Sequence, residues 1–209
     1  RSLEFPNLLW LEAETADGIV GLGETFFAAE AVEAYIHANL APIVLGMSAV
    51  DIEAVHYRTR PYIGFVAAST ELRARSALDI ALWDVLGKLT GQPISVLLGG
   101  RIRSQIPVYN TCAGNQYVRG TKLGTTQNFG IASSGTDQNY EDLDRFLNDP
   151  VGLAGSLLDM GIDSMKIWPF DFAAESTQGQ FISPAELDKA LAPFKAIKKE
   201  YGDRMQISA

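Results

Sequence analysis

Residues 76–100 read SALDIALWDVLGKLTGQPISVLLGG. Extended back to Thr70, the run sets Ala74, Leu78, Ala81, Leu82, Val85 and Leu89 on one stripe at helical spacing, and Gly91 and Pro93 are stop signals. The pattern predicts a long core helix from Thr70 to Leu89. Taken physically, it is a core helix.

Leu8 to Thr15 and Ile19 to Thr25 are extended runs joined by Ala16-Asp17-Gly18, where Asp-Gly supplies the positive φ of a tight turn. They predict a β-hairpin. Its second strand carries Gly21-Leu22-Gly23-Glu24-Thr25 and leads into Phe26 and Phe27, two aromatics in a loop that either cover their own hairpin or face a ligand. From Ala28 a helix presents Val32, Ile36, Leu40 and Ile43, with Pro42 as its expected end, and Asp51 is placed to cap a second helix bearing Ile52, Val55 and Thr59. His37 and His56, the two histidines of the chain, fall on these helices and read as surface or packing residues, so no histidine-based triad or metal site is expected. Arg60 to Phe65 is a helix-breaking loop with two more aromatics, Tyr62 and Phe65, as a second candidate pocket wall.

Downstream of Gly100 the pattern changes. Ile106 to Cys112 is a short β-type run, and residues 113–139 form a long polar loop without apolar periodicity. A short helix is expected around Glu141 to Leu147. Asp149-Pro150 opens another helix that ends at Gly161, with Ala154, Leu157 and Leu158 on its core face. Ser164 to Asp171, SMKIWPFD, is a buried-type strand that delivers one lysine and is closed by a proline. Ser183-Pro184-Ala185-Glu186 is a capping box for a helix carrying Leu187, Leu191, Phe194 and Ile197, and a strand begins at RMQISA. Strand, helix, strand, helix, strand is the alternation of parallel βαβ units.

The chain has 209 residues, 47% of them hydrophobic and 20% charged, which suits one globular domain or two small ones. A formal charge of −8 and a sequence pI near 4.8 argue against nucleic acid or an anionic membrane surface as a partner, because nothing would neutralise phosphates. Cys112 is the only cysteine, so no internal disulfide can form. No apolar run approaches the roughly 18 residues of a membrane span, and RSLEFPN at the start lacks a signal peptide's apolar core. The expected compartment is the cytoplasm. Ala209 falls within a strand pattern, and a three-stranded slice would leave an unpaired sheet edge, so the natural protein is expected to continue past it.

Three blocks of wording go further than periodicity. Gly21-Leu22-Gly23-Glu24-Thr25, Ala81-Leu82-Trp83-Asp84 and Gly91-Gln92-Pro93 followed by Leu97-Leu98-Gly99-Gly100 resemble, in order, the enolase superfamily, in its mandelate racemase and muconate lactonizing enzyme branch. The resemblance implies an α/β architecture: an α+β capping domain over residues 1–104, then at 105–209 the first three strands of a (β/α)8 TIM-type barrel, apparently truncated. It implies a Mg2+-dependent abstraction of the proton α to a carboxylate, on a small-molecule carboxylate substrate, in a homo-oligomer. The metal-binding carboxylates of that family would lie just after Ala209 and on later strands, and none is assigned in this chain.

The branch carries Lys-x-Lys on its second barrel strand. Lys166 matches the first lysine and Trp168 stands where the second would be. Tryptophan donates one hydrogen bond but cannot take a proton, so the usual lysine base is in doubt. Lys166 is the candidate catalytic residue, as a carboxylate clamp or a repurposed base. Phe26, Phe27, Tyr62, Phe65, Asn110 and Trp168 are the candidate substrate contacts. The proline-interrupted second strand is more like the acid-sugar dehydratases of the branch than its cycloisomerases. A hydro-lyase is therefore the first expectation, with a racemase, epimerase or cycloisomerase as the alternative and a non-catalytic member or fragment as a third.

Overall fold

The computed structural model describes residues 7–63, 69–114, 117 and 141–209. The chain forms two compact units, Arg1–Ser104 and Gln105–Ala209.

In the first unit β1 (Leu8–Glu14) and β2 (Val20–Phe26) make the antiparallel hairpin, with Leu11 opposite Gly23 and Ala13 opposite Gly21. Gly18 turns the chain at φ +81°. Helix α4 (Thr70–Thr90) lies directly on β2, burying Ala74, Ala77, Leu78, Ala81, Leu82 and Val85. Its approach explains two of the blocks quoted above at once. A Cβ on Gly23 would stand 1.8 Å from the Ala77 carbonyl oxygen, and one on Gly21 would stand 2.1 Å from that of Ala81. The glycines of the strand and the alanines of the helix are two halves of one backbone-to-backbone contact. Asp84 and Lys88 then seal the outer edge of β2: Asp84 Oδ2 accepts from the Leu22 amide at 2.8 Å, and Lys88 Nζ donates to the Val20 carbonyl at 2.7 Å. These bonds satisfy backbone groups that an edge strand would otherwise leave open. Leu89, placed on the core stripe by its spacing, is instead 51% exposed, because the hairpin ends before α4 does.

The helix expected from Ala28 is divided. Helix α1 (Ala29–Tyr35) passes through a π turn (Ile36–Leu40) into α2 (Ala41–Val44). Pro42 has no N–H to donate, and the widened turn places it at the start of α2, where no intrahelical donor is required. Val32 and Leu40 stay in the core, while the inserted residue swings Ile43 outward. Helix α3 (Ile52–Thr59) buries Ile52, Val55 and Thr59, the face its sequence predicts. A short helix, α5 (Ile94–Leu97), follows Gly91 and Pro93.

In the second unit, β3 (Ser164–Lys166) and β4 (Gln206–Ser208) pair in parallel, and Asn110 pairs in parallel with Met165 on the other side of β3. Between these strand positions lie α6 (Asp142–Asn148), α7 (Pro150–Asp159), α8 (Asp171–Ala174) and α9 (Pro184–Tyr201). This is the parallel alternation that opens a (β/α)8 barrel. The run from Ile106 to Cys112 is not a continuous strand. Only Asn110 is laddered, donating to the Ser164 carbonyl at 3.0 Å and accepting from the Lys166 amide at 2.8 Å. Its partner strand is three residues long and Pro107 has no amide to offer, so Ile106, Val108 and Tyr109 remain exposed. The capping box of α9 has both of its bonds, Ser183 Oγ accepting from the Glu186 amide and the Glu186 carboxylate from the Ser183 amide. The buried face of α9 is Ala190, Pro193 and Ile197; Leu187 lies one turn too early to reach the core and is exposed. Met165 and Ile167 of the β3 segment join Leu153, Leu157, Phe146, Ile197 and Met205 in the core of this unit.

Candidate functional site

Side chains alternate across a strand, so with Met165 and Ile167 directed into the helices, Ser164 and Lys166 share the opposite face. Lys166 is half-buried. The ladder runs one residue further, where the Ile167 amide donates to the Ser208 carbonyl at 3.0 Å, and Pro169 stops it. Trp168 turns into the apolar cluster and is 9% exposed, with the Tyr117 ring edge-on at 4.7 Å and the Phe146 ring at 6.3 Å. Its carbonyl accepts from the Asp171 amide at 3.3 Å, a tight turn that brings the chain back over the strand end.

Three ionisable groups converge there. Partial desolvation pushes the Asp171 carboxyl above the usual carboxylate range, and the positive charge of Lys166 pulls it back down. Tyr117 is raised first by desolvation and then by the negative charge of Asp171. On the neighbouring strand position, Asn110 Nδ2 donates to Asp142 Oδ2 at 2.8 Å, which fixes the amide orientation at the first residue of α6. Cys112 is fully buried, its thiol 3.6 Å from the Asn110 carbonyl oxygen. Burial, with the Asp142 charge as the lesser cause, pushes that thiol up to about 12, so it is a packing residue and not a nucleophile.

Asn110, Lys166 and Trp168 therefore belong to one locality. The sequence reading did not single out Asp142 or Tyr117: Asp142 sits among ordinary helix-start acids, and Tyr117 lies in a long polar run. In the N-terminal unit Phe26 and Phe27 are half-buried and stack edge-on at 4.5 Å. Tyr62 projects into solvent at 96% exposure, and Phe65 lies outside the described residues. His56 Nε2 is 2.8 Å from Asp79 Oδ1, a helix-to-helix pair. A cavity of about 760 Å3 opens in this unit along β1, the π turn and α4; it is walled by Leu11, Leu40, Val44, Leu78 and Leu82, and among the described residues none of the predicted site residues lines it.

Among the described residues, no group of three or more His, Cys, Asp or Glu side chains is arranged to hold a metal ion. The Asp142 carboxylate is engaged by Asn110. These residues do not make up a Mg2+ site. Also among the described residues, no helix is long and apolar enough to cross a membrane.

Comparison with known proteins agrees with this architecture. Residues 3–99 match the model of the mandelate racemase / muconate lactonizing enzyme N-terminal domain. An enolase of the mandelate racemase subgroup from Agrobacterium tumefaciens, solved with a succinimide residue, is 43% identical with a TM-score of 0.78; the alignment covers 99% of this chain and 47% of that one. An enolase protein from Sargasso Sea environmental sequencing is 40% identical with a TM-score of 0.77 over the same shares. A D-mannonate dehydratase of Novosphingobium aromaticivorans is 33% identical over 111 residues, 52% of this chain and 28% of the relative. A D-galactonate dehydratase of Pectobacterium atrosepticum is 36% identical over 116 residues, 53% of this chain and 29% of the relative. The chain thus spans about half the length of the matched structures, and its match to the curated relatives takes in under a third of theirs. Residues 3–99 are thus the N-terminal domain of the mandelate racemase / muconate lactonizing enzyme family, and over its whole length the chain is similar to enolases of the mandelate racemase subgroup.

Proposed function

We propose that this chain is part of a sugar-acid dehydratase, which removes the proton α to a carboxylate and expels the β-hydroxyl as water. The observation that carries the reading is the residue pair at the end of β3, one lysine followed two positions on by a buried tryptophan. The curated relatives named as D-mannonate and D-galactonate dehydratases support the same class of substrate.

In this reading Lys166 is an electrostatic clamp. A substrate carboxylate set against its ammonium is held by a charge-assisted hydrogen bond, and the negative charge that develops on the carboxylate as the α proton leaves is stabilised there. Trp168 offers an apolar ring and no base, so the proton goes to a group outside the described residues. The Mg2+ that family members use stabilises the same developing charge when bound, and its ligands belong to carboxylates outside the described residues. Asn110, its amide held by Asp142, is read as a substrate contact in the same locality. Phe26, Phe27, Tyr62 and Phe65 enter as residues that select the substrate's distal end, on the resemblance to the family. The enzyme is read as a cytoplasmic homo-oligomer.

Binding separates the clamp from the base. With full-length protein and a C6 aldonate, Lys166→Met is expected to weaken substrate binding about 10-fold or more, as for loss of a charge-assisted hydrogen bond, while Lys166→Arg retains most of it. Undiminished binding to Lys166→Met, measured by calorimetry, would remove Lys166 from the carboxylate site.

A further inference from the structure

Just after β2 the backbone departs from what its side chains favour. Phe27 has φ +69° and Ala28 φ +52°, two successive residues with Cβ atoms in the left-handed region where glycine fits best. Such a conformation persists only when surrounding groups over-determine it, and it gathers where a binding surface has been shaped. Two of the restraints are local. The Phe27 amide donates to the Asn7 carbonyl at 2.8 Å, and the Ala28 carbonyl accepts from the Val32 amide at 3.0 Å.

The third restraint comes from a different element. Arg73, on the first turn of α4, donates from Nη1 to the Phe26 carbonyl, and its guanidinium carbon lies 5.5 Å from the centroid of the Phe27 ring. The Phe26 ring stands edge-on to that of Phe27. One side chain therefore holds both the carbonyl that enters the turn and the ring that leaves it. A guanidinium can do both together, because it is planar, stacks on an aromatic face and donates from its edge; an ammonium is a point charge without that fork.

We propose that Arg73 is a positioning residue for substrate selection: it locks the Phe26–Phe27 turn in its left-handed form, so that both rings are set before substrate arrives. The inference rests on the reading that these two rings contact the substrate. A turn fixed in advance spares the binding step the cost of ordering it. Arg73 itself touches neither substrate nor reacting atoms in this account, so its effect falls on KM and on discrimination between substrates, with kcat little changed.

Two readouts on the full-length protein keep the parts separate. Hydrogen exchange followed residue by residue is expected to show the Phe27 amide exchanging about tenfold faster or more in Arg73→Met, with Ala77 to Val85 of α4 unchanged as the check on folding. Arg73→Lys recovers only part of that protection. With the preferred acid sugar, Arg73→Met raises KM severalfold and narrows the discrimination between epimers. Wild-type exchange at Phe27 in both variants would overturn the lock. Faster exchange with unaltered KM and unaltered preference would overturn the role in selection. Phe27→Ala tells that result apart from a failure of the underlying reading: unaltered preference in Phe27→Ala means that the ring does not contact the substrate, whatever Arg73 does.

Discussion

Lys166 and Asp171 are five residues apart in sequence, yet the turn through Trp168 and Pro169 brings them within electrostatic reach. The Lys166 charge pulls the Asp171 carboxyl down against the effect of desolvation, so Lys166→Met is expected to raise the Asp171 titration further. Carbon-13 carboxyl shifts, assigned by difference with Asp171→Asn, measure it directly; an Asp171 titration that ignores Lys166→Met would show that the two charges do not meet. Cys112 makes a second prediction. A fully buried thiol whose pKa is pushed up to about 12 carries almost no thiolate at pH 8, so the native protein should react with a disulfide reagent only as fast as it opens. Of these residues, Lys166 and Trp168 stand out in the sequence through the comparison with Lys-x-Lys, and the structure puts them in one locality with Asn110. Asp142 and Tyr117 do not stand out, because nothing local marks an aspartate that will hold an asparagine from another strand position, or a tyrosine that will lean on a tryptophan from another element.

The hairpin and α4 are the elements most plainly encoded. Their stripe, turn and stop signals are all short-range, and each falls within a residue or so of its predicted place. The glycines of β2 show what a pattern leaves out: Gly21 and Gly23 read as motif residues, and only packing reveals that each stands where a methyl group would strike the α4 backbone. Gly23→Ala is therefore expected to cost at least about 1–3 kcal/mol, the range for overpacking, and more if the helix cannot retreat. Its thermal midpoint should fall well below that of Gly18→Ala, where open space surrounds the added carbon and the cost is the left-handed φ alone. Equal midpoints would contradict the contact. Asp84 adds a pH dependence. Its hydrogen bonds from Lys88 and the Leu22 amide lower its pKa, so the stability it contributes is present above its unfolded value of about 4 and is lost as pH falls through the lowered folded value. Asp84→Asn should flatten that part of the acid limb. The elements that departed from expectation did so for positional reasons. The π turn answers Pro42, and the Ile106–Cys112 run pairs only at Asn110 because β3 offers three residues.

At the largest scale the chain has two parts, the hairpin-on-helix unit, on which the family match falls, and the parallel alternation from Asn110 to β4. The chemistry is distributed differently. The proposed site draws a cation, an amide and an aromatic ring from this chain, while among the described residues no group of three or more His, Cys, Asp or Glu side chains is arranged to hold a metal ion. The proposed substrate class therefore rests on the resemblance, in which Trp168 stands where a lysine would be, and on relatives named as D-mannonate and D-galactonate dehydratases. The direct measurement is proton NMR of the full-length protein with Mg2+ and a panel of C6 aldonates in deuterium oxide. Dehydration cleaves the C2–H and C3–O bonds and returns a 2-keto-3-deoxy acid carrying one deuterium at C3, and that product, formed from at least one epimer, is what the account predicts. Deuterium appearing at C2 of recovered substrate, with inverted configuration and no keto acid, would contradict it.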